Sequence, residues 1–364
     1  MHQAAPARRA MSSSLKKLAG TLYGGCRPLN QQGELPTPVQ GRNFRFFSYG
    51  RYAILEALTL SGVGKGEVVL LPEYICRENL SAINALGARV EYYPVGKDLR
   101  PSAPLDTLPK AKAVLAINYF GFPQDLSQFE TYCHKTGAIL IEDNAHGFLS
   151  RDKDGAYLGT RGDVGIFSFR KSIPLVNGGG MVVNHSEKTL PLSPQLPFVN
   201  NVEPRMFRIK KFLRYLPRWN LTGLLYALIG LDRAVKKFRT GSDYVKSADD
   251  AELVLPGKPE PDSNLLNALK SLDLDCEISR RRLLYSEIEK LVGNNGGTPV
   301  FPHLPEAVVP YCFPFHSSLE SIEEIKRTLK KHYLDCYLWP ELPSEIEQKA
   351  VEHYKSVWTV NFIW

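Results

Sequence analysis

Three groups of residues in this 364-residue chain have the types and spacing to do chemistry. The first is Lys171, in the segment Gly-Ile-Phe-Ser-Phe-Arg-Lys-Ser-Ile-Pro-Leu-Val-Asn-Gly-Gly-Gly from Gly165 to Gly180. An apolar run ends at Phe169 and the lysine follows almost at once. An amine emerging where a strand ends is well placed to form a Schiff base with an aldehyde cofactor. Ser168, three residues earlier, can hydrogen-bond a phosphate. The plainer alternative is a surface lysine followed by a glycine hairpin. The second group is Ala138-Ile-Leu-Ile-Glu-Asp-Asn-Ala-His-Gly147, an apolar run closed by two acids, with His146 three residues past Asp143. A carboxylate at that place, facing a pyridine nitrogen, keeps the nitrogen protonated and makes the ring an electron sink. His146 can stack on such a ring or hydrogen-bond its phenolic oxygen. The plainer alternative is an aspartate capping the next element and a space-filling histidine. The third group is Phe47-Ser-Tyr-Gly-Arg-Tyr-Ala53. It opens a helix whose first N–H groups, with Gly50 for close approach and Arg51 for charge, would seat a phosphate. Any helix start with a glycine looks similar.

The elements needed to position these groups are legible. Val68–Pro72, Arg89–Val95, Ala113–Phe120, Ala138–Asp143, Gly165–Phe169 and Gly180–Asn184 read as strands, most too continuously apolar to face water. Arg51–Leu60, Arg77–Leu86 and Leu126–Lys135 read as helices between them. That alternation predicts an α/β layer structure with a mostly parallel sheet, whose ligands gather at the carboxyl ends of the strands. All three groups lie beside such ends. Beyond Asn184 the pattern breaks. The stretch Arg205–Arg239 holds ten Lys or Arg against one acid, Asp232, interleaved with Phe, Leu, Tyr and Trp. Helices over Leu265–Leu272 and Glu277–Val292, and strand-like runs at Val308–Phe315 and Tyr333–Leu338, then suggest a second α/β unit. The expected division is an N-terminal arm (1–45), a large domain (46–250) carrying a basic helical insertion at about 203–240, and a small C-terminal domain (251–364).

Composition narrows the class. An apolar fraction of 43% and a charged fraction of 23% are ordinary for a soluble globular protein. Six scattered cysteines with no CxxC read as reduced thiols of a cytoplasmic protein, with no disulfide framework. Cys312 and His316 lack a second ligand pair, so no metal site is expected. The basic start leads into Ser12–Ser14, not an apolar run, so it does not read as a secretory signal. Either Met1 or Met11 can be the native start. The run Leu221–Leu231 is shorter than the ~20 residues that span a bilayer. A formal charge of +7 favours anionic partners in general.

Taken in order, a phosphate seat, an acid after a strand and a lysine after a later strand resemble the sugar aminotransferase family known as DegT/DnrJ/StrS, in fold type I of the pyridoxal-phosphate (PLP) enzymes. Gly50-Arg-Tyr-Ala53 stands where that family has its phosphate loop. Gly64-Lys-Gly-Glu-Val-Val-Leu-Leu-Pro72 resembles GxGDEVIxP, and Gly87-Ala88 resembles the GAxP turn. Asn118-Tyr-Phe-Gly-Phe-Pro123 resembles HxYGxP. Glu142-Asp-Asn-Ala-His146 resembles EDxAQ/H, and Gly159-Thr-Arg-Gly-Asp163 with Phe167-Ser-Phe169 resembles GxxGDxxxFSF. Leu338-Trp-Pro-Glu-Leu-Pro343 is similar to WPxLP. There are departures. Lys171 lies three residues after Ser168 where the family has five, although its spacing to Gly178-Gly179 is kept. Tyr74 or Cys76 stands where an aromatic ring-stacker is usual. The GYNYRM segment is missing, with Ser263-Asn264 its nearest substitute, and the LPIH strand does not follow Val357–Trp364.

The resemblance implies a type I PLP-transferase fold: a large domain with a mostly parallel mixed sheet flanked by helices, plus a smaller α/β domain. It implies PLP held by Lys171, Asp143 on the ring nitrogen and His146 on the ring. Gly50, Arg51, Tyr74, Cys76 and Ser168 are further cofactor candidates, and Asn118, Tyr119 and Asn264 are candidates for substrate contact. The implied activity is transfer of an amino group, from glutamate, to a keto-sugar, nucleotide-linked, by a homodimer without a nucleic-acid partner. Related dehydratases carry histidine in place of the lysine, so Lys171 points to transamination. A second reading is a PLP-binding or degenerate member without transaminase activity, acting in regulation or polysaccharide assembly. A third places residues 205–239 against an anionic membrane surface or a lipid-linked sugar. The plainer alternative there is a solvated helical insertion covering the active site. Trp339 and Pro340 read as core anchors, and Arg280-Arg281-Arg282 as a solvated or inter-subunit face.

Overall fold

The computed structural model describes residues 18–363 apart from 31, 42, 185–189, 191, 220 and 241–246. The expectations for the first residues and the native start lie outside that range. Ten elements build the first layer structure. They are β1 (Phe44–Phe47), α1 (Gly50–Leu60), β2 (Val68–Pro72), α2 (Leu80–Ala85), β3 (Arg89–Tyr93), β4 (Ala113–Ile117), α3 (Ser127–Thr136), β5 (Ile139–Asp143), β6 (Val164–Phe167) and β7 (Gly179–Val183). The seven strands form one sheet in the order β1-β7-β6-β5-β4-β2-β3. Strands β2 to β6 run parallel to one another and β1 shares their direction, while β7, between β1 and β6, is antiparallel to both. The continuously apolar runs are the buried strands, β4 and β5 throughout, as a sheet covered on both faces requires.

Two helices follow, α4 (Arg205–Leu213) and α5 (Thr222–Thr240), so the basic stretch is helical as expected. Then come α6 (Asn264–Lys270), α7 (Leu274–Gly293), β8 (Thr298–Pro299), β9 (Cys312–His316), α8 (Leu319–Lys331), β10 (Tyr337–Leu338) and β11 (Val357–Asn361). These four strands form an antiparallel sheet in the order β10-β11-β9-β8. The Asp273 side chain caps α7 by accepting from the Cys276 N–H. One apolar core joins the two sheets, from Leu70 and Ile141 to Phe313 and Val360. No described helix is long and apolar enough to cross a membrane.

Several expectations are corrected here. Strand β1 opens at Phe44 and pairs along β7, so the sheet begins inside the supposed arm. The arm is also packed: residues 18–24 are helical, with Leu22 and Tyr23 in the core. Cys26 and Cys276 form a disulfide across 250 residues, which corrects the reading of six reduced thiols. Cys76, Cys133, Cys312 and Cys336 are free. Two of the three arginines, Arg280 and Arg281, are no solvated face. Arg281 is 1% exposed, and with Arg280 it is ion-paired to the buried Glu277.

Candidate active site

Strand alternation decides which of the two acids at the end of β5 can do chemistry. Successive side chains point to opposite faces, so Glu142 and Asp143 part company. Glu142 is fully buried and paired with Arg161, whose Nε donates to Oε1 at 2.8 Å, and it also accepts from Asn118 Nδ2 at 2.8 Å. Asp143 instead lines a cavity shared with Lys171, His146, Cys76, Asn79 and Trp339. Its Oδ1 accepts from the Ala145 N–H at 3.0 Å. Burial raises the carboxyl above its usual range, against the opposing pull of Lys171.

Lys171 closes the short turn Phe169–Lys171 that follows β6. Its Nζ stands 3.0 Å from His146 Nε2. On the other side of that ring, the Phe120 N–H donates to Nδ1 at 3.2 Å. Phe120 holds φ 58° to aim its N–H this way, a left-handed conformation that costs a bulky residue of order 1–3 kcal/mol. Burial, and then the Lys171 charge, hold the imidazole pKa well below its usual value, so the ring is neutral. With Nδ1 accepting, a neutral ring carries its proton on Nε2, the atom facing Lys171, and the two share a hydrogen bond when the lysine is an unprotonated amine. The imidazole lies parallel to Tyr311 at 4.7 Å and to Phe120 at 5.7 Å. It therefore offers the cavity a hydrogen-bonding edge.

The N-terminus of α1 adjoins this turn. Tyr49 caps the helix without a side-chain hydrogen bond, and while the Tyr52 N–H donates to the Tyr49 carbonyl at 3.1 Å, the Gly50 and Arg51 N–H groups ahead of it are left open. A Cβ on Gly50 would stand 3.3 Å from the Phe167 carbonyl and 3.5 Å from Ser168 Cβ. A Cβ on Gly179 would fall 2.3 Å from the Tyr49 carbonyl carbon, so only glycine lets β7 pass the helix start. Arg170 lies 5.8 Å from the Tyr49 ring centroid, and its Nε is buried with no partner. Gly50, Ser168 and Arg170 thus converge on one helix end.

Not every expected site residue joins this group. Tyr74 is fully buried, donating through its hydroxyl to the Trp339 carbonyl while its own carbonyl accepts from Tyr119 at 2.6 Å. Both tyrosines therefore support Trp339 from outside the cavity. Asn118 is locked into the Glu142–Arg161 network. Arg51 is half-buried at the helix start. Asn264 lines a separate cavity of about 500 Å³ between residues 22–30, α4 with the turn after it, and the start of α7. The insertion does not line the Lys171 cavity. Sequence reasoning missed Asn79 and Arg170 and read Trp339 as a core anchor, whereas all three border the site. For Arg170 a signal was present, since it directly precedes the lysine. The Lys171 turn is held from behind: Arg281 on α7 donates to the Ser172 carbonyl, and Glu277 pairs with Arg281 Nε at 2.7 Å.

Comparison with known proteins bears on what this arrangement is. Residues 47–192 match the model of the DegT/DnrJ/EryC1/StrS aminotransferase family. This segment is similar to that family over 146 of the 364 residues. It contains all the residues converging on Lys171 except Trp339. The chain is 31% identical over 148 residues to the GDP-perosamine synthase of Escherichia coli O157:H7, a match covering 39% of this chain and 40% of the relative. It is 32% identical over 143 residues to the dTDP-4-dehydro-2,3,6-trideoxy-D-glucose 4-aminotransferase of Saccharopolyspora spinosa, covering 37% and 36%. The chain thus spans about two fifths of the length of these relatives. A crystal structure of a DegT/DnrJ/EryC1/StrS aminotransferase from Brucella abortus superposes with a TM-score of 0.56 at 15% identity, covering 98% of this chain and 92% of that one. This shared fold extends well beyond the matched segment.

Proposed function

We propose that the chain is a PLP-dependent aminotransferase that passes an amino group from glutamate to a nucleotide-linked keto-sugar. The observation carrying this reading is the convergence of Lys171, Asp143 and His146 on one buried cavity beside an uncapped helix N-terminus. The donor set fits the cofactor. The buried Arg170 Nε without a partner and the glycine-lined start of α1 suit its phosphate. The raised carboxyl of Asp143 suits a protonated ring nitrogen, which would return it to the ionised form. When bound, PLP supplies an aldehyde that an amine can capture and a ring that delocalises the electron pair left by a departing proton.

The chain's own residues supply the rest. Lys171 Nζ would hold the cofactor, and as a free amine it would carry the proton removed from the donor's α-carbon. His146 would offer the cofactor its Nε2 edge, since the imidazole already lies parallel to Tyr311. Cys76 stays a thiol, since burial pushes its pKa up to about 11. Trp339 and the aromatic cluster behind it exclude water.

The test is optical. Purified protein with added PLP should absorb in the visible and bleach on addition of glutamate. Lys171→Ala should lose both responses, and a variant that kept them would sink the assignment. One observation favours the second reading, a family member without transaminase activity. The cavity measures about 10 Å³, room for one water, so ring entry requires side chains to move. A chain that stays colourless with PLP would select that reading.

A further inference from the structure

The basic helices pose a problem that the proposed chemistry leaves untouched. Of 18 large apolar side chains exposed in the described chain, 11 fall between Val202 and Phe238, about a tenth of its length. They are not scattered. Met206, Ile209 and Phe212 recur every three residues on α4, while Leu224, Leu231, Val235 and Phe238 recur at sevens and threes or fours on α5. Each set forms a stripe along one helix face. Phe212 is 58% exposed and Phe238 92%. The helix α5 already has a buried face, made by Leu225, Tyr226 and Ile229, so the stripe is a second apolar face. An exposed patch of this extent marks an interaction surface.

Charge identifies the occupant. The sequence from Arg205 to Arg239 holds ten cations against one acid. Arg205, Arg208 and Lys211 alternate with the apolar residues of α4 and are themselves exposed. A second copy of this chain would bring the same cationic patch against itself, because a two-fold interface repeats each surface. An anionic bilayer meets both demands, the apolar face entering the acyl boundary and the cations meeting headgroups. Tyr215 and Trp219, exposed between the helices, are the residue types that favour that boundary.

We propose that the exposed apolar and basic face of α4 and α5 docks the protein on an anionic membrane surface. The helices lie on the bilayer without spanning it. This inference stands apart from the aminotransferase reading, since none of its residues lines the Lys171 cavity.

The full chain should float with vesicles of phosphatidylglycerol mixed with phosphatidylcholine, and stay behind with phosphatidylcholine alone. High salt should release it. Two double variants, Phe212→Glu with Phe238→Glu and Arg205→Glu with Arg208→Glu, should each weaken vesicle binding about tenfold or more, given about 1 kcal/mol per cation near the surface. Circular dichroism confirms that each variant is folded, and light scattering gives its mass. No flotation with the anionic vesicles at low salt would overturn the proposal. So would flotation that both folded variants retain. A dimer that Phe212→Glu with Phe238→Glu dissociates would overturn it too, by assigning the face to a second copy.

Discussion

Two buried carboxylates stand on either side of the Lys171 turn and meet opposite fates. Behind the turn, Glu277 accepts from Arg280 and Arg281 at 2.6–2.8 Å. Burial alone would raise its carboxyl, but the two guanidiniums hold it down at about 2. In front of the turn, Asp143 has one backbone N–H and the charge of Lys171, and burial pushes its carboxyl up. The first acid is spent on structure: through Arg281 it fixes the Ser172 carbonyl. The second is left with bonding capacity facing a cavity, and perturbed groups of that kind mark functional sites. The contrast predicts that removing each charge shifts stability in opposite directions.

The largest effect should come from Glu277→Gln, which leaves Arg280 and Arg281 buried without their counter-charge. Breaking one side of such a cluster costs about 3–5 kcal/mol, read as a lower denaturant midpoint. The Lys171 turn should loosen as well. An unchanged midpoint would break the contrast at its first term.

Acid should do nearly as much without a mutation. The folded pKa of Glu277 lies near 2, below the usual value of 4.5. Its stabilisation is therefore complete above pH 4.5 and is lost as the pH falls toward 2. The shift corresponds to about 3 kcal/mol. Unfolding followed from pH 6 to pH 2 should show this loss, and Glu277→Gln should flatten that part of the profile.

The disulfide reinforces the same side of the turn, since Cys276 immediately precedes Glu277 on α7. Cys26→Ser frees the arm from α7, and loss of a disulfide closing so long a loop costs about 2–4 kcal/mol. Neither cysteine lines the Lys171 cavity, so the visible absorption with PLP should survive at temperatures where the variant remains folded. Loss of absorption in a folded variant would show that the two sides of the turn are not separable.

How far the sequence revealed this contrast depends on where each partner comes from. Asp143, His146 and Lys171 were legible because each sits at a strand end, and β2, β4 and β5 are apolar enough to be read directly. The strand β1 was missed, since four residues, Phe-Arg-Phe-Phe, carry no repeat to distinguish strand from arm. Arg280-Arg281-Arg282 looked solvated because charge runs usually are. The burial of Arg280 and Arg281 depends on Glu277 and, for Arg281, on the Ser172 carbonyl, 109 residues away in sequence. Cys26 and Cys276 could not be paired from spacing, because a disulfide needs Cα atoms within about 7 Å, a distance only the fold supplies. Trp339 borders Lys171 for the same reason, brought from the second sheet to the first. The local half of the site was thus written in motifs, while its supports lie far away in sequence.

The smallest change in stability should come from Asp143→Asn, and its sign is the sharpest test. A carboxyl whose folded pKa is raised favours the fold while protonated, and that contribution is lost as the pH rises through the folded value. At neutral pH the buried charge opposes folding, so the neutral amide should leave stability unchanged or raise it by about 1 kcal/mol or less. The same substitution should slow the glutamate half-reaction by about 10²–10³-fold, the scale of losing one preorganised electrostatic contact. A stabilised protein that reacts slowly is what a carboxylate held for chemistry should produce. If Asp143→Asn instead destabilised the fold as Glu277→Gln does, Asp143 would be a second structural acid, and the cavity around Lys171 would lose its claim to a ring nitrogen.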